Sequence, residues 1–316
     1  MSPAVQGLLW CLVFAVLDAA QAVVFGRWFQ ALDSFQTGFL VFAITSTATL
    51  AWVFWSNRDQ MRQALASWKL LLALNFSFAI AWASFLMAIQ ILEPAIAFSL
   101  FTGLIPIVTI ALAVFGGSDG QLPRNRFELV GNAALLAGLL LLCWTTLSGR
   151  AGFLRPDPGA AVLGLSFAIL AGVAISYMLF FSKRLHHHGV GPTTQFAMRF
   201  GVYLILSLGG WIAGLDAKEA PAPLSLLILA VPVGILLMAF PVFAVQKAIA
   251  LSPVLTIATF SAASPVFVFV FQLIEGRVDY APWTLAGLVL SFAGAMIAVT
   301  GSSLAERVLP GKPPGL

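Results

Sequence analysis

The chain has 316 residues, 60% of them hydrophobic and only 9% charged, with a mean hydropathy of +1.00 and a formal net charge of +4. Soluble domains carry about 25% charged residues, so this composition excludes a water-soluble globular protein. The pI of about 9.4 does not signal nucleic acid, because the sixteen basic residues are scattered over the polar connections and form no patch.

Ten apolar stretches follow in order, at 5–26, 34–56, 69–91, 94–115, 127–147, 160–182, 192–213, 224–248, 253–275 and 282–302. Each has about 21 to 25 residues, enough for a helix to cross ~30 Å of hydrocarbon, whereas a barrel strand needs only about ten residues of alternating polarity. Trp28, Trp55, Trp68, Trp144, Trp211 and Trp283 lie near the ends of these stretches, as interfacial anchors should. The expected fold is an all-α polytopic membrane protein.

The first stretch has no Lys or Arg before Arg27, which argues against a cleaved leader, so it is expected to remain in the mature protein. It carries Asp18 in "FAVLDAAQAVV", roughly 14 Å along the helix from Arg27. An acid at that depth faces a cavity, a proton path or a cationic partner. Asp18 is therefore expected to bind a substrate ammonium group, a coupling proton, or both in turn; the plainer alternative is a protonated acid bonded to a neighbouring carbonyl. Gln21, nearly one turn on, either extends that polar site or makes an interhelical hydrogen bond. In the third stretch Trp82 sits mid-span, to stack on an organic substrate or gate it, or to pack on a neighbouring helix.

The fourth stretch, "LEPAIAFSLFTGLIP", holds Pro94 in the first turn, where proline costs little, and Pro106 about halfway through, where it removes a backbone bond. The carbonyl freed lies near Thr102. The ninth stretch, "LSPVLTIATFSAASP", repeats both prolines as Pro253 and Pro265, freeing a carbonyl near Ser261. Broken backbone at membrane depth is tolerated only in protein or against a water-filled cavity. The matched breaks at Pro106 and Pro265 thus read as a transporter's central site, or else as packing kinks. Arg199, about seven residues into the seventh stretch, either snorkels to the headgroups, the favoured reading, or attracts an anionic group at the inner mouth. Three adjacent histidines, His186 to His188, read as a solvated loop rather than a metal site, and Cys11 and Cys143 as unpaired core residues.

Placing both termini inside puts ten basic residues (Arg58, Arg62, Lys69, Arg124, Arg126, Lys183, Arg184, Lys247, Arg307, Lys312) in the cytoplasm and five (Arg27, Arg150, Arg155, Lys218, Arg277) outside. The positive-inside rule therefore favours a cell (inner) membrane protein with both termini cytoplasmic. The proline segments align at an offset of 159; Phe14 "FAVL" matches Phe167 "FAIL" at 153, and Gly131 and Gly138 match Gly287 and Gly294 at 156. Two five-helix halves, 1–148 and 149–316, follow, and an odd number of crossings makes them inverted repeats.

This arrangement, with "LEP" and "LSP" hairpins and mid-helix Pro106 and Pro265, resembles the drug/metabolite transporter superfamily, in particular its ten-helix EamA-type exporters. "GPTTQFAMRF", ending at Arg199 and Phe200, looks like the start of the second helix of a repeat, although the first half has Leu40 where that arginine would fall. The resemblance implies alternating access around a cavity lined by spans 1, 3, 4, 6, 8 and 9, with spans 5 and 10 paired at the back. It makes Asn75, Ser99, Thr102, Tyr177, Gln246, Thr256, Thr259 and Ser261 candidate substrate contacts beside Asp18, Gln21 and Trp82.

An intramembrane enzyme is disfavoured, since Asp18 has no deep acidic partner and no HExxH occurs. A channel would need a pore motif repeated by symmetric chains. The expected function is export of a small organic metabolite, an amino acid or derived zwitterion, because Asp18 and Arg199 offer one charge of each sign. Proton antiport through Asp18 is the expected coupling. The alternative is export of a lipophilic drug or bulkier metabolite such as a nucleotide, vitamin or metal-chelating compound. No cofactor and no resident metal are expected; the partners are membrane lipid, the substrate and protons, with the chain a monomer or homodimer.

Overall fold

The computed structural model describes residues 3–115, 120–153, 157–220, 222–251 and 254–308, the side chains of 3, 4, 246, 249, 250, 254–259 and 302–308 excepted. It is helical: α1 Pro3–Trp28, α2 Ser34–Ser56, α3 Arg58–Ala66, α4 Trp68–Ile91, α5 Pro94–Val114, α6 Arg126–Leu147, α7 Pro158–His187, α8 Pro192–Met198, α9 Gly201–Ile212, α10 Leu224–Gly234, α11 Phe240–Leu251, α12 Val254–Glu275 and α13 Pro282–Val308. Among the described residues nine segments are long and apolar enough to cross a membrane, and Phe260–Glu275 adds a shorter apolar helix within α12. This is the all-α polytopic architecture expected.

Local chemistry sets the boundaries. The Asp33 and Asn125 carboxyl and amide oxygens accept from the backbone N–H groups of Gln36 and Glu128, each at 2.9 Å, capping α2 and α6. Pro94 occupies the first turn of α5, as expected.

Three details differ from the sequence reading. The polar stretch after α2 is not a loop but the short helix α3. The seventh span is broken at Arg199–Phe200 into α8 and α9. The eighth contains a π-helical turn at Ile235–Ala239, closed by the Phe240 N–H on the Ile235 carbonyl. Pro232 and Pro241 bracket that turn, and neither can donate to the carbonyl four residues back, so the ladder re-registers between them.

In lipid, apolar surface supplies no drive for helices to associate, so close packing must do it. The α6–α13 pair meets this with small residues. A Cβ on Gly131 would lie 2.3 Å from the Ala298 nitrogen, and one on Gly294 would lie 2.3 Å from the Leu135 nitrogen. The two backbones therefore touch, which is the back pairing that the resemblance implied. Elsewhere α7 packs on α4 and α5, and α1 on α11 and α12.

The helix ends form two faces. The terminal end carries Pro3 and Val308, the helix limits nearest the chain termini, with the α2–α4, α5–α6 and α7–α8 connections. The far end carries the connecting residues 29–33, 92–93, 148–153, 157, 213–220, 222–223 and 276–281. Hydrogen bonds tie the far end together across the whole bundle, as described below.

Candidate substrate cavity

Pro106 and Pro265 interrupt α5 and α12, which pack against each other. Both prolines line a cavity of about 560 Å³ framed by α5, α6, α12 and α13, with Leu179 contributed by α7. The cavity extends to Gln121, Pro123 and Arg124 in the α5–α6 connection, so it runs to the terminal end. Each proline lacks the N–H that would bond four residues back, and the carbonyls so released belong to Thr102 and Ser261, both lining residues. The Thr102 and Thr109 hydroxyls donate to the Phe98 and Ile105 carbonyls, at 3.0 and 2.8 Å. Both are bonds to the carbonyl four residues back, one on each side of Pro106, and neither reaches the carbonyl that the proline releases.

Most of the wall is apolar, from Ile105, Ile110, Leu135, Leu288, Phe292 and Val299. Polar groups are few: Ser99, Thr102, Thr109, Glu128, Asn132, Ser261 and Ser291. The Asn132 Oδ1 and Ser291 Oγ have no hydrogen-bond partner among the described residues, although both atoms are buried. Asn132, Glu128 and Ser291 were not singled out as contacts. Glu128 was legible in the sequence only as a helix-start residue three after Asn125, and it does accept from the Arg124 N–H at 2.6 Å.

Of the expected contacts, Ser99, Thr102 and Ser261 line this cavity with the two prolines, and the rest do not. Asp18 and Gln21 are buried on α1, a helix that packs chiefly on α11 and α12. No described residue bonds or pairs with Asp18, and both amide atoms of Gln21 lack partners. Gln246, Thr256 and Thr259 belong to α11 and α12, but their side chains lie outside the described residues, as does Pro253. Trp82 is 4% exposed within an aromatic cluster, 5.2 Å from Phe42 and 5.8 Å from Phe78 between ring centroids. Tyr177 is on the surface of α7, its ring stacked over Phe181 at 6.3 Å.

Asn75 acts on backbone. Its amide donates to the Met198 carbonyl at 2.9 Å and its oxygen accepts from the Val202 N–H at 3.4 Å. It therefore splints the α8–α9 break, satisfying groups that the interrupted ladder leaves open. Arg199 lies at that break and is 1% exposed, so the favoured snorkelling reading is corrected. The break turns the side chain into the bundle, where Nε donates to the Gln195 carbonyl at 3.3 Å and Nη2 has no partner among the described residues. Cys11 and Cys143 are free thiols, and among the described residues no three His, Cys, Asp or Glu side chains gather as a metal site.

The far end is closed by polar ties. The Glu93 carboxylate, 1% exposed, accepts from the Gly152 N–H and the Thr284 hydroxyl, both at 2.9 Å, and from the Gln272 amide. Gln272 in turn accepts from the Ala95 N–H at 3.0 Å. One residue thus joins α5, the α6–α7 connection, α12 and α13. Burial pushes the Glu93 carboxyl above its ordinary value, while the Gln272, Gly152 and Thr284 donors pull the other way. Arg277 donates to the Gly26 carbonyl at 2.7 Å, Arg27 pairs with Glu275 at 3.2 Å, and Lys218 bridges Asp216 and Gln90. Asp216 also accepts from Ser34, bringing the start of α2 into the closure.

These features define a multi-pass membrane protein with a proline-interrupted helix pair beside a cavity that runs to one end of the bundle, with polar ties at the other. Residues 162–300 match the model of the EamA-like transporter family, which bears out the resemblance to the drug/metabolite transporter superfamily. That is a family of membrane transporters of small molecules, not of enzymes. Among solved structures, a protein crystal structure 18% identical in sequence aligns over 98% of this chain and 99% of its own, with a TM-score of 0.60. At that identity the likeness is one of fold. No curated protein matches the chain.

Proposed function

We propose that the protein is a secondary transporter that exports a small organic molecule by alternating access. The observation that carries this reading is the cavity framed by both proline breaks, which runs to the terminal end while Glu93 and its neighbours tie the far end. With both termini in the cytoplasm of a cell (inner) membrane, that is an inward-facing state. The halves 1–148 and 149–316 are proposed as inverted repeats, a reading supported by the paired breaks and the α6–α13 contact. Rocking of one half against the other would loosen the far-end ties and occlude the terminal mouth.

Substrate class follows from the wall. The zwitterion reading rests on Asp18 and Arg199, and neither lines the cavity. An apolar wall with a few hydroxyl, amide and carboxylate groups supports the other reading, a lipophilic or bulkier molecule with sparse polar groups. Asp18, buried without a described partner, is proposed as the proton-coupling residue, with Gln21 beside it.

The test is flux of labelled amino acids, nucleosides and a lipophilic cation into proteoliposomes, with and without a pH gradient, for wild type and Asp18→Asn. Saturable, gradient-driven flux of the lipophilic cation that is lost in Asp18→Asn supports substrate class and coupling together. Gradient-driven amino-acid flux restores the zwitterion reading. Flux indifferent to the gradient and to Asp18 removes the proton mechanism, and non-saturable flux without counterflow removes the carrier.

A further inference from the structure

The short helix α3 is amphipathic in an ordered way. At about 100° per residue, Gln60 and Ala64 share one face, Met61 and Leu65 the next, and Arg58 and Arg62 the one after. The first face is the docked one. Ala64 is buried, and the Gln60 Oε1 accepts from the Gly191 N–H and the Thr194 hydroxyl, both at 3.0 Å, which fixes α3 against the start of α8. Fixed in that way, α3 turns Leu65, Arg58 and Arg62 outward, and all three are exposed.

Aromatic rings flank it on both sides. α2 ends on Phe54 and Trp55, the latter 82% exposed, and α4 begins with Trp68, 57% exposed. The Arg58 guanidinium lies 4.6 Å above the Phe54 ring and donates to the Phe54 carbonyl at 2.8 Å, while the Lys69 ammonium lies 5.8 Å above Trp68. Lys183 is exposed near the end of α7, and His188, just past that helix, reaches the Ser67 hydroxyl at 3.4 Å. Set against these cations is Asp59, 3.8 Å from Arg62, with both side chains so exposed that solvent screens the pair.

The far end shows what internally neutralised charge looks like in this fold. There Arg27, Lys218 and Arg277 have carboxylate partners, and Arg150 lies over the Trp144 ring at 4.9 Å. Among the described residues no carboxylate lies within ion-pair distance of Arg58, Lys69 or Lys183. Exposed tryptophans belong at headgroup depth, which brings these cations to the level of lipid phosphates.

We propose that Arg58, Arg62, Lys69 and Lys183, set on the Trp55–Trp68 collar, form a docking belt for the headgroups of anionic phospholipids, with Met61 and Leu65 against the acyl chains. The belt is independent of the transport reading. It commits to the lipid rather than to a soluble phosphate, because an apolar stripe and two tryptophans adjoin the cations. Each Lys or Arg near an anionic surface strengthens association about fivefold, so removing three should weaken it about a hundredfold.

The experiment uses the full chain in nanodiscs of phosphatidylglycerol mixed with phosphatidylcholine, and counts the lipids retained by native mass spectrometry. Wild type is expected to enrich phosphatidylglycerol about tenfold or more over phosphatidylcholine. The triple variant Arg58→Gln/Arg62→Gln/Lys69→Gln should lose that preference, and Arg150→Gln at the far end should keep it. Equal retention of the two lipids, or a preference that survives the triple variant, overturns the proposal. Millimolar glycerol phosphate should not displace the lipid; if it does, the site is one for soluble anions and the lipid assignment falls. Should the triple variant fail to fold, bromine-labelled lipids decide the matter on foldable protein. Brominated phosphatidylglycerol should quench wild type more than brominated phosphatidylcholine does, and that difference should vanish in Trp55→Phe/Trp68→Phe; a difference that is absent or persists refutes the belt.

Discussion

Replacing Glu93 by alanine should cost more stability than its place in a two-residue connection suggests. Its carboxylate takes three donors, from Gly152, Thr284 and Gln272, and the last of these also holds the Ala95 N–H. A buried donor left unpaired costs about 1–3 kcal/mol, and water entering at the bundle end relieves part of it, so Glu93→Ala should lose about 3–4 kcal/mol. Glu93→Gln keeps the shape and one acceptor but turns an NH₂ toward donors, and about 1–2 kcal/mol is expected. The pH dependence separates the two effects. Because the folded pKa lies above the ordinary 4.5, the native state binds more protons than the unfolded one between those values. Stability therefore falls as pH rises from 4.5 through the folded value and is flat above it. Glu93→Gln should reduce that slope without abolishing it, because Asp33, also raised chiefly by burial, contributes with the same sign. Denaturant titration of the detergent-solubilised protein between pH 4.5 and 8 measures both. An alanine variant within about 0.5 kcal/mol of wild type, or an unchanged slope in Glu93→Gln, would refute the reasoning.

Other perturbations test other parts of the structure. Gly131→Val drives a branched side chain toward the Ala298 backbone, so the α6–α13 pair should separate at a cost of at least about 2 kcal/mol, read as a lower unfolding midpoint. Asn75→Leu leaves the Met198 carbonyl and the Val202 N–H without their splint and should cost about 1–3 kcal/mol, with faster hydrogen exchange confined to 198–202. In a background with Cys11 and Cys143 replaced by serine, Thr102→Cys and Ser261→Cys should react with an impermeant thiol reagent applied from the terminal end and not from the far end. Reaction from the far end alone would reverse the assignment of the closed face.

The sequence by itself determined the membrane, because repeated apolar runs long enough to cross hydrocarbon have few other stable fates. It also placed the proline breaks, since proline acts on its own helix wherever that helix packs. Ser99, Thr102 and Ser261 could be read as cavity residues because they share a helix with those breaks. What only the tertiary structure decided is which faces meet. Asn75 looked like a substrate contact until the broken backbone it serves lay beside it, 123 positions away in the chain. Arg199 looked free to reach the headgroups until the α8–α9 break turned it inward. Glu93 stands in a tripeptide read for its proline, yet three donors from distant segments converge on it. The short helix α3 was invisible as a membrane element because nine residues cannot span one, and its place depends on Gln60 reaching α8. Hydrophobicity and proline act locally and can be read from neighbours in the chain, whereas hydrogen-bond satisfaction is settled by partners that only folding brings within 3 Å.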